Sequence, residues 1–262
     1  MPDAVNLSPP FPVDGLGARL ARRIWHPRCL LCGEAGHLGL DLCRACADAL
    51  PWNRQACVRC GLPVPVTPRE PASAEMRAAG VCMAAVADIT CGACLRRPPP
   101  QARCVAAFRY AAPLDRLMPR LKFHADLAAG RLLSQLMASR LADAERPEAL
   151  IPLPLHRSRL RERGYDQALE LARPLARALG VPLCTGLLHR VRATPPQSRL
   201  DAAQRRRNMR RAFHVDGARG VPAHVALLDD VMTTGATAHA AVRALQRAGV
   251  QRVDVWVCAR VP

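Results

Sequence analysis

Residues 225–237 read VALLDDVMTTGAT, an apolar run that ends in two adjacent carboxylates and continues into a turn of small and hydroxyl-bearing residues. Apolar residues then recur at helical spacing from Ala238 to Ala248. Gly249 follows, and glycine is the residue that most often ends a helix. This order of strand, acidic pair, loop and helix predicts an α/β fold. We expect a parallel sheet flanked by helices, with its chemistry at the carboxyl ends of the strands.

The turn after the acidic pair has the composition of an anion-binding loop. Backbone N–H groups of small residues can converge on one anion at a helix N-terminus, and hydroxyl groups add further donors. Gly235 can adopt the positive φ that such a turn needs. The loop residues are Thr233, Thr234, Gly235, Ala236 and Thr237. Asp229 and Asp230 precede them, where the hydroxyls of a sugar phosphate would lie. The alternative is a buried strand with an acidic turn before its helix and no ligand.

Length and composition set the class of protein. A chain of 262 residues predicts one large or two moderate domains. Half of the residues are apolar but only 3% are aromatic, so Leu, Val, Ala and Ile must build the core. The formal net charge of +17 favours polyanionic partners such as diphosphates, nucleic acid or acidic lipid. Lys122 is the only lysine, and all other cationic side chains of the Lys/Arg class are arginines.

The first residues and the cysteine content suggest a compartment. Residues 1–24, an N-terminal extension, lack the apolar core of a secretory signal, and no apolar run has the length of a membrane span. We therefore expect a cytoplasmic protein without membrane insertion. Twelve cysteines in a chain without an export signal favour metal binding or free thiols over disulfides.

Eight of the cysteines form four Cys-x2-Cys knuckles. Two knuckles supply four thiolates, which is the ligand set of a tetrahedral zinc site. The eight predicted ligands are Cys29, Cys32, Cys43, Cys46, Cys57, Cys60, Cys91 and Cys94. Two sites follow, and because all-Cys sites leave no open position, both zinc ions should be structural. The order along the chain favours consecutive pairing, while an interleaved pairing remains open. A redox pair is disfavoured because the knuckles precede any βαβ unit.

Residues 96–100, RRPPP, mark a boundary, because consecutive prolines form a stiff connector without backbone donors. We predict a double zinc-binding module over residues 25–100 and an α/β domain over residues 101–262. Within that domain, strands are expected at 105–110, 149–155 and 251–261. Helices are expected at 114–123 and 127–141. The prolines of the second strand place it at a strand end or a sheet edge.

A second anion site is predicted where residues 156–167, HRSRLRERGYDQ, follow the strand at 149–155. We expect them to open one helix that continues to Leu179. Arginine presents its donors as a fork that matches phosphate, so Arg157, Arg161 and Arg163 are candidates to bind pyrophosphate. The alternative is a solvated basic helix face. Long connections are usually lids or disordered segments, and the arginine-rich connection at 185–215 could form a basic lid over a phosphate-rich substrate.

The residues at 227–237 resemble the phosphoribosyl pyrophosphate motif of the type I phosphoribosyltransferases. The cysteine knuckles, the Arg163-Gly-Tyr-Asp-Gln167 stretch, the Thr194-x2-Gln197-x2-Leu200 stretch and this motif occur in the order that resembles the bacterial ComF family. Those proteins join a zinc-binding module to a type I phosphoribosyltransferase-like domain and are linked to DNA uptake and competence. Within the Arg-Gly-x-x-Gln stretch the family usually has Phe and Asn, where this chain has Tyr165 and Asp166.

The resemblance implies roles for particular residues. Asp229 and Asp230 would hold the ribose hydroxyls, the loop Thr233 to Thr237 would surround the 5′-phosphate, and Mg²⁺ would bridge the diphosphate. If the chain is catalytic, it would transfer a pentosyl group with release of pyrophosphate. The candidate catalytic residues are Asp229, Asp230, Lys122 and Arg163. No pocket for an acceptor is recognisable. The alternative function is a non-catalytic adaptor that binds single-stranded DNA through its basic surface, together with other competence proteins.

Overall fold

The computed structural model describes residues 27–65, 89–192, 212–217 and 220–262. The predicted extension at 1–24 and the stretch from Thr194 to Leu200 lie outside the described residues, as does most of the predicted lid. Among the helices in the described part of the chain, none combines the length and hydropathy that crossing a membrane requires.

The described elements alternate between strands and helices after the cysteine-rich segment. That segment holds two short helices, α1 (Arg44–Asp48) and α2 (Gly92–Arg96). The following elements are β1 (Cys104–Arg109), α3 (Leu114–Phe123), α4 (Leu127–Arg140), β2 (Ala149–Pro152), α5 (Arg157–Arg163), α6 (Gln167–Leu179), β3 (Leu188–Arg190), β4 (Phe213–Val215), β5 (His224–Met232), α7 (Ala236–Arg247) and β6 (Arg252–Arg260).

Four strands form one parallel sheet in the order β1-β6-β5-β2. The last strand in sequence, β6, lies inside the sheet, where it pairs with β1 on one side and with β5 on the other. β2 is the last strand in this order and ends at Pro152. This agrees with the prediction that its prolines lie at a strand end or a sheet edge. Because all four strands run the same way, their carboxyl ends meet at one edge. The predicted α/β class with a parallel sheet is confirmed.

The sheet is covered on both faces, and the alternation of side chains along β5 shows how. Ala226 and Leu228 belong to a core cluster with helices α3, α4 and α6, whereas Val225 and Leu227 belong to a second cluster with α7 and the β3–β4 pair. Successive side chains of a strand point to opposite faces, so β5 is apolar on both. Val225 to Leu228 have no measurable exposure, which is typical of parallel sheets.

Two predicted elements differ from the structure. The helix predicted through Leu179 is wrong as a single helix, because it is interrupted after α5. Gly164 has a φ of 80° and ends α5, and Asp166 then caps α6 by accepting a hydrogen bond from the N–H of Leu169 at 3.1 Å. The strand predicted to end at the acidic pair instead continues through both aspartates to Met232.

The connection predicted as a lid contains, in its described part, a two-stranded antiparallel sheet formed by β3 and β4. Pairing of Leu188 with Val215 and of Arg190 with Phe213 holds the two ends of the connection together. Residues 193–211, between these strands, lie outside the described residues, so a lid there stays a prediction.

The cysteine-rich segment packs directly onto the α/β domain. The Trp52 ring contacts the Phe108 ring of β1 with centroids 4.5 Å apart, and the N–H of Asn53 donates to the Ala107 carbonyl at 3.0 Å. A further contact joins the first knuckle to α3, since Arg120 Nη1 donates to the Leu30 carbonyl at 2.5 Å. The zinc-binding segment therefore forms part of the surroundings of the sheet.

Candidate functional site

The eight knuckle cysteines gather in two clusters, one of Cys29, Cys32, Cys43 and Cys46 and the other of Cys57, Cys60, Cys91 and Cys94. Within each cluster all four sulfur atoms lie within 4.8 Å of one another. Two of the Sγ–Sγ distances are 3.6 Å (Cys32 to Cys43) and 3.8 Å (Cys60 to Cys91). A tetrahedron with Zn–S bonds of about 2.3 Å has edges of about 3.8 Å. The structure thus brings the thiols together in the consecutive pairing, with a geometry that fits zinc.

One thiol in each cluster is set up to ionise. Burial disfavours the thiolate of Cys29, but the N–H groups of Cys43, Cys32 and Leu31 outweigh it and lower its pKa to about 6. Burial likewise opposes ionisation of Cys57, yet backbone N–H groups, the first of them that of Cys91, lower its pKa to about 7. Zinc binds thiolates, so these backbone donors favour the form that the metal takes.

A charged cleft of about 120 Å³ lies at the carboxyl ends of β2 and β5. This is the edge at which parallel sheets bind ligands. Three carboxylates and four cations line it, together with backbone and small apolar groups. The lining residues are Lys122, Leu153, Pro154, Leu155, Arg159, Arg163, Asp166, Gln167, Ala168, Arg190, Asp229, Asp230 and Thr237. A cleft of this volume accommodates a phosphate-sized group and its water, and a larger ligand would extend beyond it.

The acidic pair projects into this cleft from the end of β5. Asp229 Oδ1 accepts the N–H of Asp230 at 2.9 Å, and Asp230 Oδ1 accepts the N–H of Val231 at 2.8 Å. Lys122 at the end of α3 places its Nζ 3.5 Å from Asp230 Oδ2. Burial, followed by the negative charge of Asp230, raises the pKa of Asp229 well above its usual range, and the charge of Lys122 opposes this shift. The pair is therefore primed to receive hydroxyl groups or a cation.

The arginines of α5 separate into two faces. Arg159 and Arg163, one turn apart, are partly buried and line the cleft, whereas Arg157 and Arg161 are exposed and do not. Arg163 also lies over the Phe123 ring at 5.7 Å from its centroid. Sequence reasoning named Arg157, Arg161 and Arg163 for pyrophosphate but did not select Arg159. Arg157 and Arg161 have the same spacing of four residues, so the sequence carried no signal for which pair faces the cleft.

The Thr/Gly loop lies next to the cleft and contributes Thr237 to its lining. Thr233 and Thr234 are exposed, and Thr234 Oγ1 accepts the N–H of Ala236 at 3.4 Å. Gly235 precedes α7 with a φ of 75°, as the sequence predicts. A Cβ at that position would lie 2.9 Å from His239 Nε2, so only glycine suits both the backbone and the space.

Tyr165 and Asp166 differ from the residues that are usual in the ComF family at these positions, and both form hydrogen bonds within the protein. Asp166 Oδ2 accepts the N–H of Leu155 at 3.1 Å, while Oδ1 caps α6, so backbone donors engage both oxygens. Burial raises the pKa of Asp166, and these donors oppose the shift. The Tyr165 hydroxyl donates to the Leu121 carbonyl, which ties the turn after α5 to the helix that carries Lys122.

Comparison with known proteins identifies relatives of this chain. A family model described as a double zinc ribbon domain matches residues 20–95. The DNA utilization protein YhgH of Salmonella typhimurium is 35% identical over 242 residues, which cover 88% of this chain and 96% of that protein. The Escherichia coli K12 protein of the same name is 32% identical over 244 residues, with the same coverage. Competence protein F of Haemophilus influenzae is 36% identical over 178 residues, which cover 65% of this chain and 78% of that one.

The chain belongs to the competence protein F (ComF) family. This confirms the family expected from the motifs. The double zinc ribbon match and the two thiol clusters together support structural zinc in this ComF-family protein. Among solved structures, a glutamine phosphoribosylpyrophosphate amidotransferase from B. subtilis, in complex with ADP and GMP, is similar over 53% of this chain and 30% of that chain. Its identity is 18% and its TM-score 0.38, so nothing about that enzyme is carried over to this protein.

Proposed function

We propose that this ComF-family protein binds phosphoribosyl pyrophosphate with Mg²⁺ and acts in the uptake or use of external DNA. One observation carries the ligand assignment: the acidic pair of β5 and the cations Arg159 and Arg163 face one cleft, beside a Thr/Gly loop at the start of α7. The carboxylates of such a site can accept hydrogen bonds from the hydroxyls of a sugar, and its arginines can bind phosphate groups. The role in DNA use rests on the names of the relatives, DNA utilization protein and competence protein.

In this proposal the ligand extends along the edge of the sheet. Asp229 and Asp230 accept hydrogen bonds from the ribose hydroxyls, and the loop Thr233 to Thr237 donates to the 5′-phosphate. Arg163 and Arg159 bind the diphosphate, with Arg157 and Arg161 at the exposed rim of the same helix. Lys122 neutralises Asp230 and can reach a phosphate oxygen.

The carboxylates also fit the predicted magnesium. Mg²⁺ prefers hard oxygen ligands, keeps several waters and is commonly held by one or two carboxylates together with substrate phosphates. Asp229 and Asp230 offer such oxygens at the point where the diphosphate is expected. The metal would neutralise the charge of the diphosphate when bound.

If the protein is a transferase, the same side chains supply the chemistry. Displacement at the anomeric carbon releases pyrophosphate, whose negative charge Arg163 and Lys122 are placed to stabilise. Asp229 and Asp230 then orient the ribose for attack.

Calorimetric titration with phosphoribosyl pyrophosphate and Mg²⁺ tests the ligand. The double variant Asp229→Asn/Asp230→Asn should lose Mg²⁺-dependent binding. The matched control, Asp115→Asn/Asp143→Asn, removes the same charge from exposed positions and should bind like the wild type. Unchanged binding by the Asp229/Asp230 variant, or no binding by the wild type, rejects this assignment.

A second candidate function is favoured by the net charge of +17. A protein this basic could bind single-stranded DNA as an adaptor that works with other proteins of DNA uptake, in the cytoplasm as predicted from the sequence. DNA affinity should then fall with salt at a slope of about 0.7 per phosphate contacted on a log–log plot. A flat salt response would count against this function. The low aromatic content disfavours a surface built on base stacking.

A further inference from the structure

Arg260, the last residue of β6, connects the second thiol cluster to the start of the Thr/Gly loop. Its side chain is buried, with the residue 6% exposed. Nε donates to the carbonyl of Cys60 at 3.0 Å, and Nη1 donates to the carbonyl of Met232 at 3.0 Å and to that of Thr233. Nη1 also donates to the carbonyl of Val261 at 2.6 Å. One guanidinium thus contacts the backbone of a predicted zinc ligand and the start of the Thr/Gly loop, which is the proposed anion loop.

The geometry of the guanidinium explains why arginine is required there. Its planar fork directs donors toward Cys60 and toward the loop at the same time, whereas a lysine ammonium is a point charge. Within the described ranges no carboxylate forms an ion pair with Arg260, and backbone carbonyls hold the cation. Burying a cation costs free energy unless its donors are satisfied, so these carbonyls are held firmly in their orientation.

The orientation of those carbonyls sets the direction of the anion donors. In a trans peptide the C=O and the next N–H point in opposite directions. The Met232 carbonyl accepts from both Arg260 and the N–H of Val261, and the Thr233 carbonyl accepts from Arg260. The N–H groups of Thr233 and Thr234 therefore point away from Arg260. Those two N–H groups are among the proposed donors to the 5′-phosphate.

We propose that Arg260 is a positioning residue that couples the second thiol cluster to the anion loop. The Cys60 thiolate would bind zinc, which would fix the backbone of Cys60 and with it the carbonyl that accepts from Arg260. Arg260 in turn orders the loop Thr233 to Thr237. Within the described residues, the hydrogen bonds from the segment of the first cluster reach α3 and α4 instead, from Leu30 to Arg120 and from Asp41 to Arg131. The ligand part of this inference rests on the proposed function, but the ordering of the loop does not.

The test measures backbone order of the loop amides by ¹⁵N relaxation in the ligand-free, zinc-loaded protein. In the wild type we expect order parameters of about 0.85 for residues 233–237, and in Arg260→Met values below about 0.6. Cys91→Ser, in the second cluster, should have the same effect. Arg247→Met at the exposed end of α7 and Cys32→Ser in the first cluster are the matched controls and should leave the loop ordered.

If the second thiol cluster acts on the loop through Arg260, the double variant Cys91→Ser/Arg260→Met should have loop order parameters no lower than those of either single variant. Two independent structural effects would instead add. Affinity for phosphoribosyl pyrophosphate should fall about tenfold in each single variant and no further in the double variant. The proposal is overturned if the losses of affinity multiply in the double variant, or if the loop stays ordered in Arg260→Met. If Arg260→Met does not fold, Arg260→Lys and Cys91→Ser decide the question by the same measurement. If the wild type does not bind the ligand, the proposed function fails, while the order parameters still decide the role of Arg260.

Discussion

Lys122 Nζ lies 3.5 Å from Asp230 Oδ2 and joins the end of α3 to the end of β5 across the cleft. The two residues are far apart in sequence, and the single lysine of the chain is thereby placed beside the acidic pair. The contact offsets the negative charge of Asp230 and places a cation at the cleft.

Replacing Lys122 tests this relationship. Lys122→Met should reduce affinity for phosphoribosyl pyrophosphate by about ten- to a hundredfold, since a charge-assisted contact contributes about 1.5–3 kcal/mol. Lys122→Arg keeps the cation and should retain most of the binding. Calorimetry at low and moderate salt measures both variants. Equal affinity of Lys122→Met and the wild type would contradict a role for this lysine in binding.

The two faces of α5 allow a matched pair of double variants. Arg159→Ala/Arg163→Ala removes the cations that line the cleft and should weaken binding of inorganic pyrophosphate by at least about tenfold. Arg157→Ala/Arg161→Ala removes the same charge from the exposed face and should have less than about threefold effect. Displacement titration gives both values. Equal losses in the two variants would show that net charge, and not the cleft, determines binding.

Gly235 combines a positive φ with a close approach to His239, whereas Gly180 at the end of α6 has a φ of 66° and nothing within 4 Å of an added Cβ. Gly180→Ala should therefore cost about 1 kcal/mol in unfolding free energy, and Gly235→Ala distinctly more. In the background of His239→Ala the close contact is absent. Gly235→Ala should therefore cost less unfolding free energy in that background than in the wild type. Denaturant unfolding compares the variants. Equal costs at the two glycines would argue against the contact with His239.

The pKa of Asp229 predicts a change in stability with pH. Burial raises this pKa above its value in the unfolded chain, which is about 4. The folded protein therefore binds that proton more tightly, and its stabilising effect is complete below the unfolded pKa and is lost as pH rises through the folded pKa. Asp229→Asn cannot ionise and should raise Tm at neutral pH, by about 2–4 °C for each kcal/mol gained. The gain should shrink toward pH 4.

Thermal unfolding at several pH values between about 4 and 8 checks this prediction. Asp143→Asn, at an exposed position, provides the control. A variant that is less stable than the wild type at neutral pH would show that the Asp229 carboxylate is stabilised in the folded protein, and the prediction would be wrong.

Metal content tests the two thiol clusters separately. Elemental analysis of the folded wild type should find about two zinc ions per chain, because each cluster supplies four thiolates. Cys32→Ser and Cys91→Ser should each lose about one, from the first and the second cluster respectively. Soluble, folded protein without metal would exclude structural zinc.

Much of the fold could be predicted because it depends on local patterns. The Cys-x2-Cys spacing identifies metal-binding knuckles wherever the chain goes, and the buried run before Asp229 identifies a parallel strand. Gly235 follows from the backbone conformation of its turn. The break between α5 and α6 was missed although Gly164 and Asp166 are a typical helix end and helix cap.

By itself the sequence of this protein determined the eight candidate thiol ligands, the strand–acid–loop–helix unit and the α/β class, since each rests on residues close together along the chain. Only the tertiary structure decided which arginines of α5 face the cleft, that Lys122 meets Asp230, and that Arg260 joins the Cys60 carbonyl to the loop. Cys60 and Arg260 are 200 residues apart. Such contacts depend on how β6 inserts between β1 and β5, and no local pattern encodes that neighbourhood.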